Sequence, residues 1–484
     1  MRRSTLALLT TLSVPCLLPG CGDDLPDFPL TGADGSTSAS GGPDGSGTSA
    51  TLPGTSTAVP TTEAPTTSPE STGPGFDCGN GVVDEGEQCD DGNLDNQDGC
   101  YTSCVVPYEV LWTATHNGGE DDVATEALFD AEGNLYVLGS TQVEGQGYDV
   151  WLRQYTPDGR EGWTWTHDGA LHGDDFGSDL AWHESGDLLI SGSEVTENDD
   201  DVLVIRLRPE DQSVVWMRYH DGVGLGPGPN DDVDFANDVR ADADGNVLVA
   251  GAERVDGSDS NAWLRKYDAD GTDLWTVSYD GPAGSSTATS VVVADDGTIY
   301  LMGNHEVGPS TTEGWVRKLD ADGGEQGMQA LPGSIVNHGT LDSQGNLVLV
   351  GIDVETPGNE NVWAAKYDPD FTPIGSHQFE GSSGATDVGL NVALDGGDGV
   401  YLVGYFTVVG QSADIWATRT NAGLSLQWWT DGYGNEEAKL DDVARGVAVS
   451  NDGTRVAVIG SESVIFEDRN TWVRMIQNNP VPLQ

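Results

Sequence analysis

Beyond residue 108 the chain alternates short apolar runs with clusters of Asp, Asn and Gly, and the alternation keeps returning. Seven runs, "NLYVLGS", "DLLISGS", "NVLVAGA", "TIYLMGN", "NLVLVGI", "GVYLVGY" and "TRVAVIG", each follow a turn such as "DAEG" or "DADG". Apolar runs bounded by Gly and Asp read as strands, because Gly accepts the positive φ that tight hairpins demand. A second series comes after a polar loop: "DVWLRQY", "DVLVIRL", "NAWLRKY", "EGWVRKL", "NVWAAKY", "DIWATRT" and "NTWVRMI". Another turn leads to a run ending near "LWT", as in "GTDLWTVSYDG". With a "DDVA"-type run at its start, each unit holds four short strands and no helical period.

Four strands in each of seven units predict an all-β fold, a seven-bladed β-propeller over 108–484. The strand count balances only if the two ends meet. The last unit stops after "NTWVRMIQNN", whereas "VLWTATHNGG" stands ahead of the first unit with no partner. That orphan supplies the missing fourth strand, so both ends share one blade and no sheet edge stays open.

Three segments of different composition precede the propeller. Residues 1–20, "MRRSTLALLTTLSVPCLLPG", have a basic start and a short apolar run, the pattern of a secretory signal. The run is too short and interrupted to span a membrane. "LPGC" resembles a bacterial lipobox, which implies cleavage before Cys21 and a diacylglycerol on its sulfur. Gly22 rather than Asp follows, which does not call for inner-membrane retention. An exported protein is expected: an outer-membrane lipoprotein at the cell surface or in the periplasm, touching membrane only through its anchor. Residues 21–75 are rich in Ser, Thr, Gly and Pro and bury too little apolar area to order. As a flexible coil, this tether's part of about 45 residues from Leu30 to Gly75 spans roughly 35–40 Å.

Residues 76–106 carry Cys78, Cys89, Cys100 and Cys104. With Cys16 lost in the signal and Cys21 lipidated, four cysteines remain, an even number suited to two disulfides in an oxidising compartment. Three connectivities are open. Across the whole chain 20 Lys and Arg face 80 Asp and Glu, a net charge of -60. That field excludes nucleic acid as a partner and favours cations and basic surfaces.

The cysteine segment, "CGNGVVDEGEQCDDGNLDNQDGCYTSC", resembles the myxobacterial cysteine-rich disulfide repeat over its whole length. The resemblance implies a surface or secreted protein and no catalysis. The larger repeats resemble the bacterial SBBP-type propeller repeat, with its "GNxYVxGxT" and "WxxKYDxDG" elements, which implies the fold and no single activity.

Candidate chemistry is sparse. Aligning the units places Asp122, Asp175, Asp234, Asp387 and Asp442 at the start of the innermost strand, with Ser286 and Ser334 in the fourth and fifth units. A ring of carboxylates near one channel mouth would take up protons or hold a cation such as Ca²⁺. Alternatively, each Asp orders its own loop by bonding backbone. In the cysteine segment Asp90, Asp91, Asn93, Asp95 and Asp98 offer oxygens to Ca²⁺, although Asn96 stands where an EF-hand needs Gly. The alternative there is a set of turn residues.

The series Trp151, Trp263, Trp315, Trp363, Trp416 and Trp472 reads as inter-blade packing, with Arg153, Arg265, Arg317 and Arg474 two residues on along the same face. Basic residues concentrated on these strands point to internal charge pairing. His116, His167 and His220 recur in loops where other units carry Tyr or Thr, which reads as structure. There is no H-E-x-x-H, Walker A or G-x-S-x-G motif. Two functions fit. One is a monomeric, non-enzymatic scaffold binding an envelope or extracellular protein or glycan. The other is a propeller enzyme, a lactonase, lyase or quinoprotein dehydrogenase, working through channel carboxylates and a divalent metal.

Overall fold

The computed structural model describes residues 79, 82–83, 88–89, 104, 106, 108–196, 200–222, 234–256, 259–309, 311–356, 358–381, 385–407, 412–433, 441–464 and 469–478. Cys21, Cys78, Cys100 and the acidic positions Asp90, Asp91, Asn93, Asp95 and Asp98 lie outside them. Cys89 and Cys104 are disulfide-bonded, and the Gln88 N–H donates to the Cys104 carbonyl at 2.9 Å.

Seven antiparallel sheets of four strands make up the fold. Blade 1 runs Asp122–Phe129, Leu135–Gln142, Tyr148–Tyr155 and Glu161–His167. Blades 2 to 6 repeat this order over 176–220, 235–279, 286–331, 334–379 and 388–433. Each blade's first strand packs against the first strands of both neighbours, so these seven line the axis. Blade 7 takes Val443–Val449, Arg455–Ser463 and Arg469–Asn478 from the end of the chain and its outer strand, Tyr108–His116, from the front. Tyr108 lies opposite Asn478, Trp112 opposite Met475 and Thr115 opposite Trp472. The circular closure expected from the strand count is the one observed.

Local chemistry explains the repeat. The first hairpin of six blades turns on Gly133, Gly186, Gly245, Gly297, Gly345 and Gly453, all at φ between +69° and +86°. In blade 6 that position is held by Asp398 at φ +61°, a left-handed conformation that Asp tolerates better than most side chains. The second-strand glycine has another cause. Every inner strand carries a β-bulge, for example between Ala236 and Asp238. The bulge swings the Phe235 carbonyl over Gly251, where a Cβ would lie 1.9 Å from that oxygen. The same clash recurs at Gly139, Gly192, Gly303, Gly351, Gly404 and Gly460. Opposite most of these glycines, on the third strand, sits the repeated Trp, as in Gly251–Trp263.

Among the described residues, seven core layers are each shared by two adjacent blades, and a smaller cluster around Ile335, Ile352, Val388 and Leu390 joins blades 5 to 7. Trp263 and Trp416 are fully buried in theirs, each contributing about 2–3 kcal/mol of apolar transfer. Each blade therefore depends on its neighbours, and ring closure completes the last layer.

Candidate functional site

The aligned aspartates act as loop ties. Asp122 accepts the Gly118 N–H and the Thr141 hydroxyl. Asp175 accepts from the Gly169 and Val195 N–H groups. Asp234 accepts from Gly222 and Arg254, and Asp387 from Gly381 and Thr407. Asp442 accepts the Ser463 N–H at 2.7 Å. Each carboxylate joins the loop entering its blade, or the end of its own second strand, to the inner strand. Burial raises the pKa of Asp122 and Asp387, and burial followed by the nearby Glu194 pushes Asp175 up to about 7. Among the described residues the five do not converge on a common point. The one acidic group there whose oxygens converge contains Asp175 alone of the five, together with Asp149 and Asp168.

The channel is lined instead by residues at and just after the bulges. Thr125, Asn237, Thr289 and Asn337 sit at the bulges and donate to the carbonyls of Gly177, Ala288, Val336 and Gly389 in the next blade, at 2.7–3.0 Å. One residue further along, the seven blades present Glu126, Asp179, Asp238, Ser290, His338, Asn391 and Gly446. These break the symmetry. Arg240 bonds Asp179 at 2.6 Å and Asp238 at 2.9 Å, and meets His338 at 3.2 Å. Asn391 reaches Glu126 at 2.6 Å past blade 7, where Gly446 has no side chain to intervene.

Electrostatics follow from this crowding. Burial, then the Asp179 charge, pushes Glu126 up to about 8, and burial takes Asp179 to about 7. Burial works against the charge of Arg240, yet the surrounding carboxylates hold its pKa above the ordinary value. His338 falls to about 4 through burial and then the Arg240 charge, so it is neutral near pH 7. Sequence reasoning missed this layer. Its only signal is a repeat position where side-chain chemistry varies from unit to unit.

Among the described residues, two blade junctions stand out. Between blades 1 and 2, Asp149 on the third strand, Asp168 in the connecting loop and Asp175 at the next inner strand bring their oxygens within 4.8 Å of one another. Between blades 4 and 5 the connection shrinks to Pro332 and Gly333, and Ser334 replaces the loop-tying Asp. A groove of about 580 Å³ opens there, lined by Gln329, Asp353, Trp363, Tyr367, His377 and Gln378.

The other repeated residues serve packing. His116 stacks on Trp151, Tyr279 packs on Trp315 and Phe379 on Trp416, each an outer-strand ring over the next blade's indole. His167 contacts Glu194 at 2.7 Å, and His220 meets the Trp263 ring edge-on. Arg153, Arg317 and Arg474 lie over their Trp neighbours. Lys266 and Lys366 pair with the hairpin residues Asp242 and Asp342 and donate to carbonyls of Ala321 and Ala422 in the next blade. The expected internal pairing of basic residues is present.

No protein-family model matches the chain, and no curated protein does. Among solved structures, the chain is similar to one described as "Structure of Dos1 propeller", with 9% identity, a TM-score of 0.45, and 77% of this chain and 96% of that one covered. It is likewise similar to a protein of unknown function from Dyadobacter fermentans DSM 18053, with 10% identity, a TM-score of 0.45, and 78% and 100% coverage.

Proposed function

We propose that this chain is an exported lipoprotein, tethered through Cys21, whose propeller is a binding scaffold for a hydroxyl-rich ligand, an envelope or extracellular glycan. The observation that supports this reading is the groove between blades 4 and 5. It combines the half-buried ring of Tyr367 and the small exposed part of Trp363 with amide, imidazole and carboxylate groups from Gln329, His377, Gln378 and Asp353. Aromatic faces beside hydrogen-bonding side chains suit sugar rings and their hydroxyls. The channel carboxylates favour the same reading over catalysis, because Arg240, Asn391 and backbone N–H groups already engage them. The cysteine segment, stapled by disulfides, is a spacer between tether and propeller.

The test uses the full mature chain carrying Cys21→Ser, applied to envelope polysaccharide on a glycan array and in affinity capture. The wild-type groove should retain carbohydrate, and Gln329→Ala and His377→Ala should each reduce retention about ten-fold. Retention unchanged by both substitutions would rule the groove out. Turnover of lactones or sugar alcohols by metal-supplemented protein would favour the enzyme reading instead. Cys21→Ser should move the protein from the membrane fraction to the soluble one.

A further inference from the structure

The junction between blades 1 and 2 gathers three carboxylates, of which only Asp175 is one of the loop ties. Asp175 is engaged by the Gly169 and Val195 N–H groups, and Asp168 Oδ2 by His172 at 2.7 Å and Gln146 at 3.3 Å. Asp149 differs. Its side chain is 8% exposed, and its Oδ1 is buried with no hydrogen-bond partner, as is Oδ1 of Asp168. A buried carboxylate with an unpartnered oxygen, held beside two other carboxylates, is costly unless something positive sits among them.

Geometry selects the occupant. Oxygens bound to one Ca²⁺ at 2.3–2.6 Å cannot lie farther apart than about twice that distance, and the three carboxylates here fall within 4.8 Å of one another. An all-oxygen set of three formal negative charges suits a hard divalent cation with tolerant geometry. The backbone holds the set in place: Tyr148 N–H donates to Asp174 Oδ1 at 3.1 Å, and the Asp175 N–H donates to the Tyr148 carbonyl at 2.6 Å. Loop and third strand are thus already clasped beside the acids.

We infer that Asp149, Asp168 and Asp175 form a Ca²⁺ site that locks the connecting loop between blades 1 and 2. The site is independent of what the propeller binds. Of the five aligned aspartates it uses Asp175 alone.

The experiment is Ca²⁺ titration of the chelator-stripped full chain by calorimetry, with melting curves, for wild type, Asp149→Asn and Asp168→Asn. Wild type should bind one equivalent more than Asp149→Asn, and its melting temperature should rise with Ca²⁺. Asp149→Asn should lose that equivalent and, without ion, melt above ion-free wild type because carboxylate crowding is relieved. Asp168→Asn, at a more exposed position that tolerates substitution, should weaken the same site about ten-fold or more. Asp90→Asn combined with Asp91→Asn should leave it unchanged, which separates it from any site in the cysteine segment. Equal stoichiometry and affinity in wild type, Asp149→Asn and Asp168→Asn would overturn the inference. So would a site that saturates with Mg²⁺ or Zn²⁺ but not with Ca²⁺.

Discussion

The junction between blades 1 and 2 and the junction between blades 4 and 5 are built on the same frame and finished in opposite ways. In the first, the loop runs from Asp168 to Asp175 and folds back over the third strand, closing the junction with carboxylates. In the second, Pro332 and Gly333 are the whole connection, and a groove is left over Trp363. Trp363 is 7% exposed, whereas Trp263 and Trp416 are fully covered. The difference lies in what the outer strand offers. Tyr279 and Phe379 cover the next blade's indole with a ring, but Leu331 occupies that place before blade 5. A repeat fold keeps its strands alike and specialises its junctions, and here one junction suits an ion and the other a ligand.

The largest expected effect tests whether the frame really is common to both. A Cβ at Gly192 would lie 1.8 Å from the Phe176 carbonyl oxygen, and one at Gly351 would lie 1.9 Å from that of Ile335. The bulge that carries each carbonyl also aims the channel side chains, so it cannot relax locally. Gly192→Ala and Gly351→Ala should each cost on the order of 5 kcal/mol, read from denaturant midpoints. A cost at Gly351 far below that at Gly192 would show that the open junction is also a looser one.

A smaller effect follows the same division into the channel, where blades 1 and 2 contribute Glu126 and Asp179 and blade 5 contributes His338. The folded-state pKa of Glu126 is raised from 4.5 to about 8. Its contribution to stability is therefore complete below the unfolded value and is lost as pH rises through about 8, at no more than about 1.4 kcal/mol per pH unit. Glu126→Gln should flatten that decline. His338 behaves oppositely, because its folded pKa is depressed from 6.5 to about 4. Folding then forgoes a proton, and stability is lost as pH falls from 6.5 towards 4. His338→Asn should remove that acid-side loss while leaving the alkaline limb intact, as melting temperatures across pH 4–9 would show.

Ring closure was legible because it is a matter of counting: a unit lacking its fourth strand at one end and a spare "LWT" strand at the other admit one solution. The glycine turns and the pairing of basic residues were legible for a similar reason, since both act within a few residues or recur in register. The channel layer was not. A bulge changes which inner-strand residue faces the lumen, and no local pattern marks it. Asp149 looked like the ordinary start of a third strand, and only the approach of the next blade's loop gives it two acidic neighbours. The short "LPGS" connection did not stand out in the sequence, because its consequence depends on Leu331 standing where other blades place a ring.

Leu331 pairs with Gly314 as Tyr279 pairs with Ala262, and both side chains face the following blade's Trp. Leu331→Tyr should place a ring over Trp363 and fill part of the groove, making the open junction resemble its neighbours. The added apolar contact and aromatic pairing should stabilise the fold by about 0.5–1 kcal/mol, seen as a small rise in melting temperature. The same substitution should reduce ligand retention in the groove. A stabilised variant that still retains carbohydrate would separate the missing ring from the binding surface and move the ligand to another face. A destabilised one would mean that the short connection, rather than the leucine, sets the gap between blades 4 and 5.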